Sequence, residues 1–160
     1  MVHINILCVG KLKEKYLKDA IDEYTKRLSK YCILNTIELL DEKIPNNPSE
    51  KEIDGVKTKE GKNIISQIKN DSYVICLDLK GKQFSSEEFS KKIENISTNY
   101  NSTITFIIGG SHGLSTEVLN NANELISFSK MTFPHQLFRV FLLEQIYRAF
   151  KIINNENYHK

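Results

Sequence analysis

The chain has 160 residues, 40% of them apolar and 26% charged, with a net charge of +2; that is the balance of an ordinary globular domain with room for one core. No charge-free apolar run approaches the roughly 20 residues that span a bilayer, and the opening Met1-Val2-His3-Ile4-Asn5 lacks the basic region and cleavage site of a signal peptide. Cys8, Cys32 and Cys76 are an odd number without C-x-x-C spacing, and two of them lie in apolar runs, so buried free thiols in the cytosol are expected rather than disulfides or zinc ligands.

Residues 3–9 (HINILCV) form an apolar run ending at Gly10 and read as a buried strand. From Lys13 to Leu28, the residues Tyr16, Leu17, Ala20, Ile21, Tyr24 and Leu28 recur at helical spacing, which predicts an amphipathic helix. A second strand is expected over Ile33–Leu40, closed by the Pro- and Asn-rich loop 41–48. Ser49 and Glu52 form a capping box for a lysine-rich helix to about Ile68, which Gly55 and Gly61 should break or loosen. Tyr73–Leu79 reads as a third strand ended by Lys80-Gly81, and Ser85 with Glu88 caps the next helix, to about Asn99. Thr103–Ile108 is an apolar strand that runs into a glycine turn. A short helix from Ser115, a strand over Glu124–Phe128 and a helix opened by Pro134 and running to about Asn154 complete the pattern.

Strands alternating with helices predict an α/β fold, a mostly parallel sheet with helices on both faces, in a single domain over residues 1–160. The last helix is apolar around nearly its whole circumference: Gln136, Glu144, Arg148 and Lys151 make one narrow polar stripe, with Arg139 to the side. One sheet cannot bury such a surface, so either a second subunit covers it or the helix lies at the centre of one chain.

Charge is uneven along the chain. Residues 11–30 carry seven Lys or Arg against four Asp or Glu, and residues 130–160 carry five against two. Basic ends around an acidic middle fit an anionic partner such as RNA, and equally fit solvated lysine-rich helix faces.

Glycine turns at the carboxyl ends of strands are where open α/β sheets bind ligands, which singles out Gly109-Gly110-Ser111-His112-Gly113-Leu114. The turn lacks the G-x-G-x-x-G fingerprint, and no G-x-x-x-x-G-K-[ST] loop exists, so NAD and ATP are poor candidates as cofactors. The G-x-S-x-G nucleophile elbow is absent as well. His112, His135 and His159 lie on separate loops without ligand spacing, and no metal is expected.

Four segments together carry a resemblance: the G-G-S-x-G-L turn, the S-F-S-K-M-T-F-P-H-Q loop over 127–136, the L-x-E-Q-x-Y-R-A-F-K-I helix and the terminal Y-H-K. With the opening V-G-K-L-K-E-K-Y, they make the chain similar to the RlmH (YbeA-type) family of SPOUT-class methyltransferases, densest over 105–160. The resemblance implies an α/β knot, a carboxyl-terminal trefoil that periodicity cannot show and general topology rules disfavour. It also implies S-adenosylmethionine as methyl donor with no metal, a homodimer, and N3 of a pseudouridine in 23S ribosomal RNA as acceptor. Free RNA and the assembled ribosome both stay open as substrate, with no membrane and no DNA among the expected partners. Carried over by position, the cofactor residues fall on Leu77, Gly109 and the loop Phe128, Ser129, Lys130, Met131, Thr132 and Phe133. Glycine there admits the ligand, loop backbone can pair with an adenine edge, and Leu77 and Met131 supply apolar walls.

Methyl transfer to a uracil-type N3 also requires removal of its proton, so His159 is the candidate base, with Tyr158 as stacking partner and Arg148 or Arg139 for phosphate or base contacts. Glu144 is expected to pair with Arg148 four residues on. A frayed tail is the bland alternative for residues 155–160. A noncatalytic RNA-binding module on the same scaffold would explain the basic ends and the tail, but not the glycine turn plus S-K-M-T loop. A structural dimerisation protein would explain only the last helix.

Overall fold

The computed structural model describes residues 1–160 and alternates strand and helix throughout. The elements are β1 (Val2–Val9), α1 (Lys15–Leu28), β2 (Cys32–Leu39), α2 (Glu50–Gln67), β3 (Tyr73–Gln83), α3 (Ser86–Asn99), β4 (Thr103–Ile108), α4 (Thr116–Asn120), β5 (Glu124–Ser127) and α5 (His135–Ile153). The strands form one sheet in the order β2-β1-β4-β3-β5, and every neighbouring pair is parallel.

The apolar runs of β1 and β4 follow from that arrangement, because strands covered on both faces have no polar side. Ile4, Ile6 and Cys8 of β1, with Ile104, Phe106 and Ile108 of β4, enter the larger core beneath α1, α3 and α5. Leu7, Val9 and Ile107 point the other way, into a smaller core with Ile64 of α2 and Val118 of α4. All three cysteines are buried free thiols; burial pushes Cys8 up to about 11 and Cys32 and Cys76 up to about 12, which leaves them unreactive. No helix is long and apolar enough to cross a membrane.

Both capping boxes form: Ser49 and Ser85 accept from the backbone N–H of Glu52 and Glu88, whose carboxylates accept in return. Contrary to the expectation from its glycines, α2 is continuous. Gly61 is there for space: a Cβ would lie 2.4 Å from Ser115 Oγ, the side chain that caps α4. Gly55 has nothing within 4 Å. Gly55→Ala is therefore expected to stabilise the chain by about 1 kcal/mol through helix propensity. Gly61→Ala should destabilise it by roughly 1–3 kcal/mol through overpacking. Opposite shifts of the denaturation midpoint test the pair; two stabilising substitutions would contradict the packing of α2 on α4.

A second departure lies at β3. The sequence reading ended this strand at Lys80-Gly81, but it continues to Gln83 after a bulge, so that Ile126 pairs first with Leu77 and again with Lys82. A Cβ on Gly81 would stand 2.6 Å from the backbone of Ile126 and of Leu125. The glycine permits two paired backbones to press close at the bulge, a use of strand glycine that looks like a terminator in the sequence.

Helix α5 lies between α1 and α3, with Leu142, Leu143, Ile146, Ala149 and Phe150 buried in the core of the same chain. For most of its length the helix is thus centrally buried, and its apolar circumference needs no second subunit there. Leu137, Phe138, Val140, Phe141, Ile152 and Ile153 remain half-exposed.

Candidate active site

The carboxyl ends of β3, β4 and β5 open into one cleft of about 890 Å³, within the roughly 300–1,000 Å³ of small-molecule sites. Leu77 comes from β3, Gly109 from the end of β4, and Phe128, Ser129, Met131, Thr132 and Phe133 from the loop after β5; all line this cleft. Of the residues carried over from the resemblance, Lys130 alone stands exposed and outside the lining. The loop holds its own shape: Ser127 Oγ donates to the Ser129 carbonyl at 2.9 Å, and Ser129 Oγ accepts from the Met131 N–H at 3.0 Å. Gly109 is packed tightly, since a Cβ would lie 2.9 Å from the backbone of Gly113 across the turn.

Several cleft residues were not read from the sequence. Asp78 and Leu79 follow Leu77 in the bulge of β3, and Lys57 reaches in from α2. Glu60, also on α2, is buried behind Gly110, where a Cβ would meet its carboxylate at 3.3 Å. The Glu60 carboxyl accepts the Glu42 N–H at 3.1 Å, while burial and neighbouring Asp41 and Glu42 raise it above the ordinary glutamate range. A signal for it existed: Glu60 shares the stripe of Ile53 and Ile64 on α2, where an acid is out of place.

The predicted catalytic residues lie elsewhere. Residues 155–160 are not frayed but docked on α3 and α5. Tyr158 packs edge-on against Tyr147, with centroids 4.9 Å apart, and donates to Glu144 Oε1 at 3.0 Å. Arg148 lies over the Tyr158 ring at 4.7 Å. As expected, Arg148 pairs with Glu144, from Nε at 3.0 Å and from Nη2 at 2.5 Å. Its Nη1 faces His159 Nδ1 at 3.0 Å, and His159 Nε2 faces Glu87 Oε1 at 2.7 Å. Both imidazole nitrogens are therefore engaged in this arrangement. Contact with His159 holds the Glu87 carboxyl below its usual range, and burial raises the Tyr158 phenol.

A second hollow, of about 540 Å³, connects the two regions. Glu144, Gln145 and Phe141 line one side of it, and it shares Ile126, Ser127, Phe128 and Phe133 with the cleft. Arg139 does not take part, contrary to the expectation of a phosphate contact. It is only 3% exposed; its Nη1 donates to Glu38 Oε2 at 2.6 Å and its Nη2 to the Gly10 carbonyl. The guanidinium ties α5 to the ends of β1 and β2, because a buried charge must be paired.

The family described as "Predicted SPOUT methyltransferase" matches residues 2–159. A protein of Clostridium perfringens (strain 13 / Type A) named "Ribosomal RNA large subunit methyltransferase H" is 63% identical over 99% of this chain and 100% of its own. A protein of the same name from Clostridium botulinum (strain Hall) is 64% identical over the same shares. A solved structure described as "a probable methylase family protein" from Haemophilus influenzae Rd KW20 superposes with a TM-score of 0.56 at 15% identity, over 98% of this chain and 70% of that one, a likeness of fold alone. The chain belongs to the SPOUT methyltransferase family.

Proposed function

We propose that the chain is a cytoplasmic methyltransferase that uses S-adenosylmethionine to methylate N3 of a pseudouridine in 23S ribosomal RNA. One observation carries the reading: Leu77, Gly109 and the 128–133 loop converge in one cleft at the carboxyl ends of adjacent strands. The cleft fits the cofactor chemically. Its floor at Gly109 and Gly110 has no side chain, Leu77 and Met131 offer apolar walls, and the Asp78 carboxylate lines it together with Lys57 and Lys80. The relatives' names supply the ribosomal substrate. The trefoil knot of the family belongs to the same reading, in the carboxyl-terminal part, with the cofactor against its loops.

When bound, the cofactor supplies an electrophilic methyl on a sulfonium. The protein's part is orientation and exclusion of water. Leu77 and the 128–133 loop hold the donor, while Arg148, Tyr158 and His159 serve the acceptor; Glu144, which bonds Arg148 and Tyr158, lines the hollow that shares Phe128 and Phe133 with the cleft. The acceptor N3 must give up its proton before it can take the methyl group that a bound donor would supply. Titration calorimetry of the purified chain with S-adenosylmethionine is expected to show saturable binding. No binding would favour the noncatalytic RNA-binding module.

A homodimer belongs to the same proposal, through the half-exposed stripe Leu137, Phe138, Val140 and Phe141. Phe141→Asp should place an unpaired charge in that contact and shift wild-type dimers to monomer in sedimentation velocity. Ile146, fully buried in its own chain, does not test this contact. A monomeric wild type at micromolar concentration would remove the dimer from the reading.

A further inference from the structure

The tail and α3 are joined by one contact that links residues far apart in the chain: Glu87 in the first turn of α3 and His159, 2.7 Å from Oε1 to Nε2. The neighbours decide where the imidazole proton sits. A guanidinium N–H can only donate, so the Nδ1 that faces Arg148 must be bare. A carboxylate can only accept, so the Nε2 that faces Glu87 must carry the proton. Glu87 is well placed as an anion, because the α3 N-terminus favours negative charge.

The same logic applied to Arg148 shows a group held on three sides. Its Nε and Nη2 bond Glu144, its Nη1 bonds His159, and its face rests on the Tyr158 ring. Glu144 is fixed in turn by the Tyr158 hydroxyl and by Gln145 Nε2 at 2.9 Å. Nη1 and Nη2 each make one bond to the protein and each have a second N–H to offer, on a side chain that is 25% exposed. Two parallel N–H groups on a planar, permanently charged fork match a carbonyl oxygen that gains negative charge.

We infer that Glu87 is a positioning residue and that the chain Glu87–His159–Arg148–Glu144 aims the Arg148 guanidinium at a carbonyl oxygen flanking N3 of the target base. This rests on the function proposed above. As N3 gives up its proton to solvent water, the charge left on the ring spreads to that oxygen, where Arg148 stabilises it. His159 then orients Arg148 and is not the group that takes the proton.

Two readouts test this, and the first needs no substrate. In nitrogen-15 spectra of the full chain, the His159 ring should be neutral with the proton on Nε2, and Glu87→Ala should give a mixture of tautomers. A proton on Nδ1 in the wild type would overturn the inference, whatever the chain's activity. The second readout is methyl transfer to ribosomes from cells that lack the gene. His159→Asn keeps an acceptor near the Nδ1 position and should fall only about tenfold, whereas loss of a general base costs roughly 10²–10⁴-fold. Arg148→Lys should lose about a hundredfold or more, as removal of a transition-state donor does. Glu87→Ala should fall about tenfold and Glu87→Gln, whose amide oxygen still accepts from Nε2, should restore most of the rate. If His159→Asn is as inactive as His159→Ala, His159 is the base and the inference is wrong. A wild type that binds no cofactor would instead defeat the proposed function and leave the tautomer to decide the positioning chain.

Discussion

Gly109→Val is expected to abolish binding of S-adenosylmethionine. The branched side chain would stand on the floor of the cleft that Leu77 and the 128–133 loop line, and would take up space there. It would also push against the Gly113 backbone, since even a Cβ comes within 2.9 Å of it. Some loss of thermal stability should therefore accompany the loss of binding, through overpacking of about 1–3 kcal/mol. Met131→Ala separates the two effects. Met131 is 73% exposed, so its truncation should leave folding unchanged. The same truncation removes an apolar wall and should weaken cofactor affinity by about tenfold, the worth of one or two buried methylenes. Calorimetry with both variants checks this. Unchanged affinity in both would remove the cleft as the cofactor site.

The second large effect is expected from the tail. Deleting residues 158–160 takes away His159, and with it the Nη1 partner of Arg148, and takes away the Tyr158 ring beneath that guanidinium. Arg148 keeps Glu144 and stays charged, but loses its aim. Folding should survive, because Tyr158 and His159 lie at the margin of the core and the bonds that anchor Glu156 to Tyr31 and Lys151 stay in place. Cofactor affinity should stay within about twofold, since none of the deleted residues lines the cleft. Methyl transfer should fall by roughly two to four orders of magnitude, the range for losing an oriented catalytic group. Single-turnover rates with saturating cofactor measure it. A truncated chain that methylates at the wild-type rate would sink the catalytic tail and leave the methyltransferase assignment standing.

The alternation of strand and helix was legible because β1 and β4 are largely apolar runs and because Ser49/Glu52 and Ser85/Glu88 announce their helices. What misled the reading was glycine. Gly61 and Gly81 look like breakers in one dimension, but each marks a place where another part of the chain presses close: Ser115 in one case and the backbone of β5 in the other. Propensity cannot tell those uses apart, since both give the same residue. Of the two arginines set aside for RNA, Arg139 turned inward, to Glu38 of β2 and to Gly10 just past β1, partners more than a hundred residues earlier that local pattern does not reveal. The positions of the cleft residues came through the resemblance; local pattern would have left Leu77 as core. Glu87 escaped notice entirely, since as an acid in the first turn of a capped helix it needs no further reason to be there.

The most direct measurement is mass spectrometry of nucleosides from large-subunit ribosomal RNA, taken from cells that lack the gene and treated with purified protein and S-adenosylmethionine. One new methyl group on N3 of a single pseudouridine, dependent on the cofactor and lost with Gly109→Val, is the expected result. RNA that gains no methyl group, or gains one on a residue other than a pseudouridine, would contradict the proposed activity.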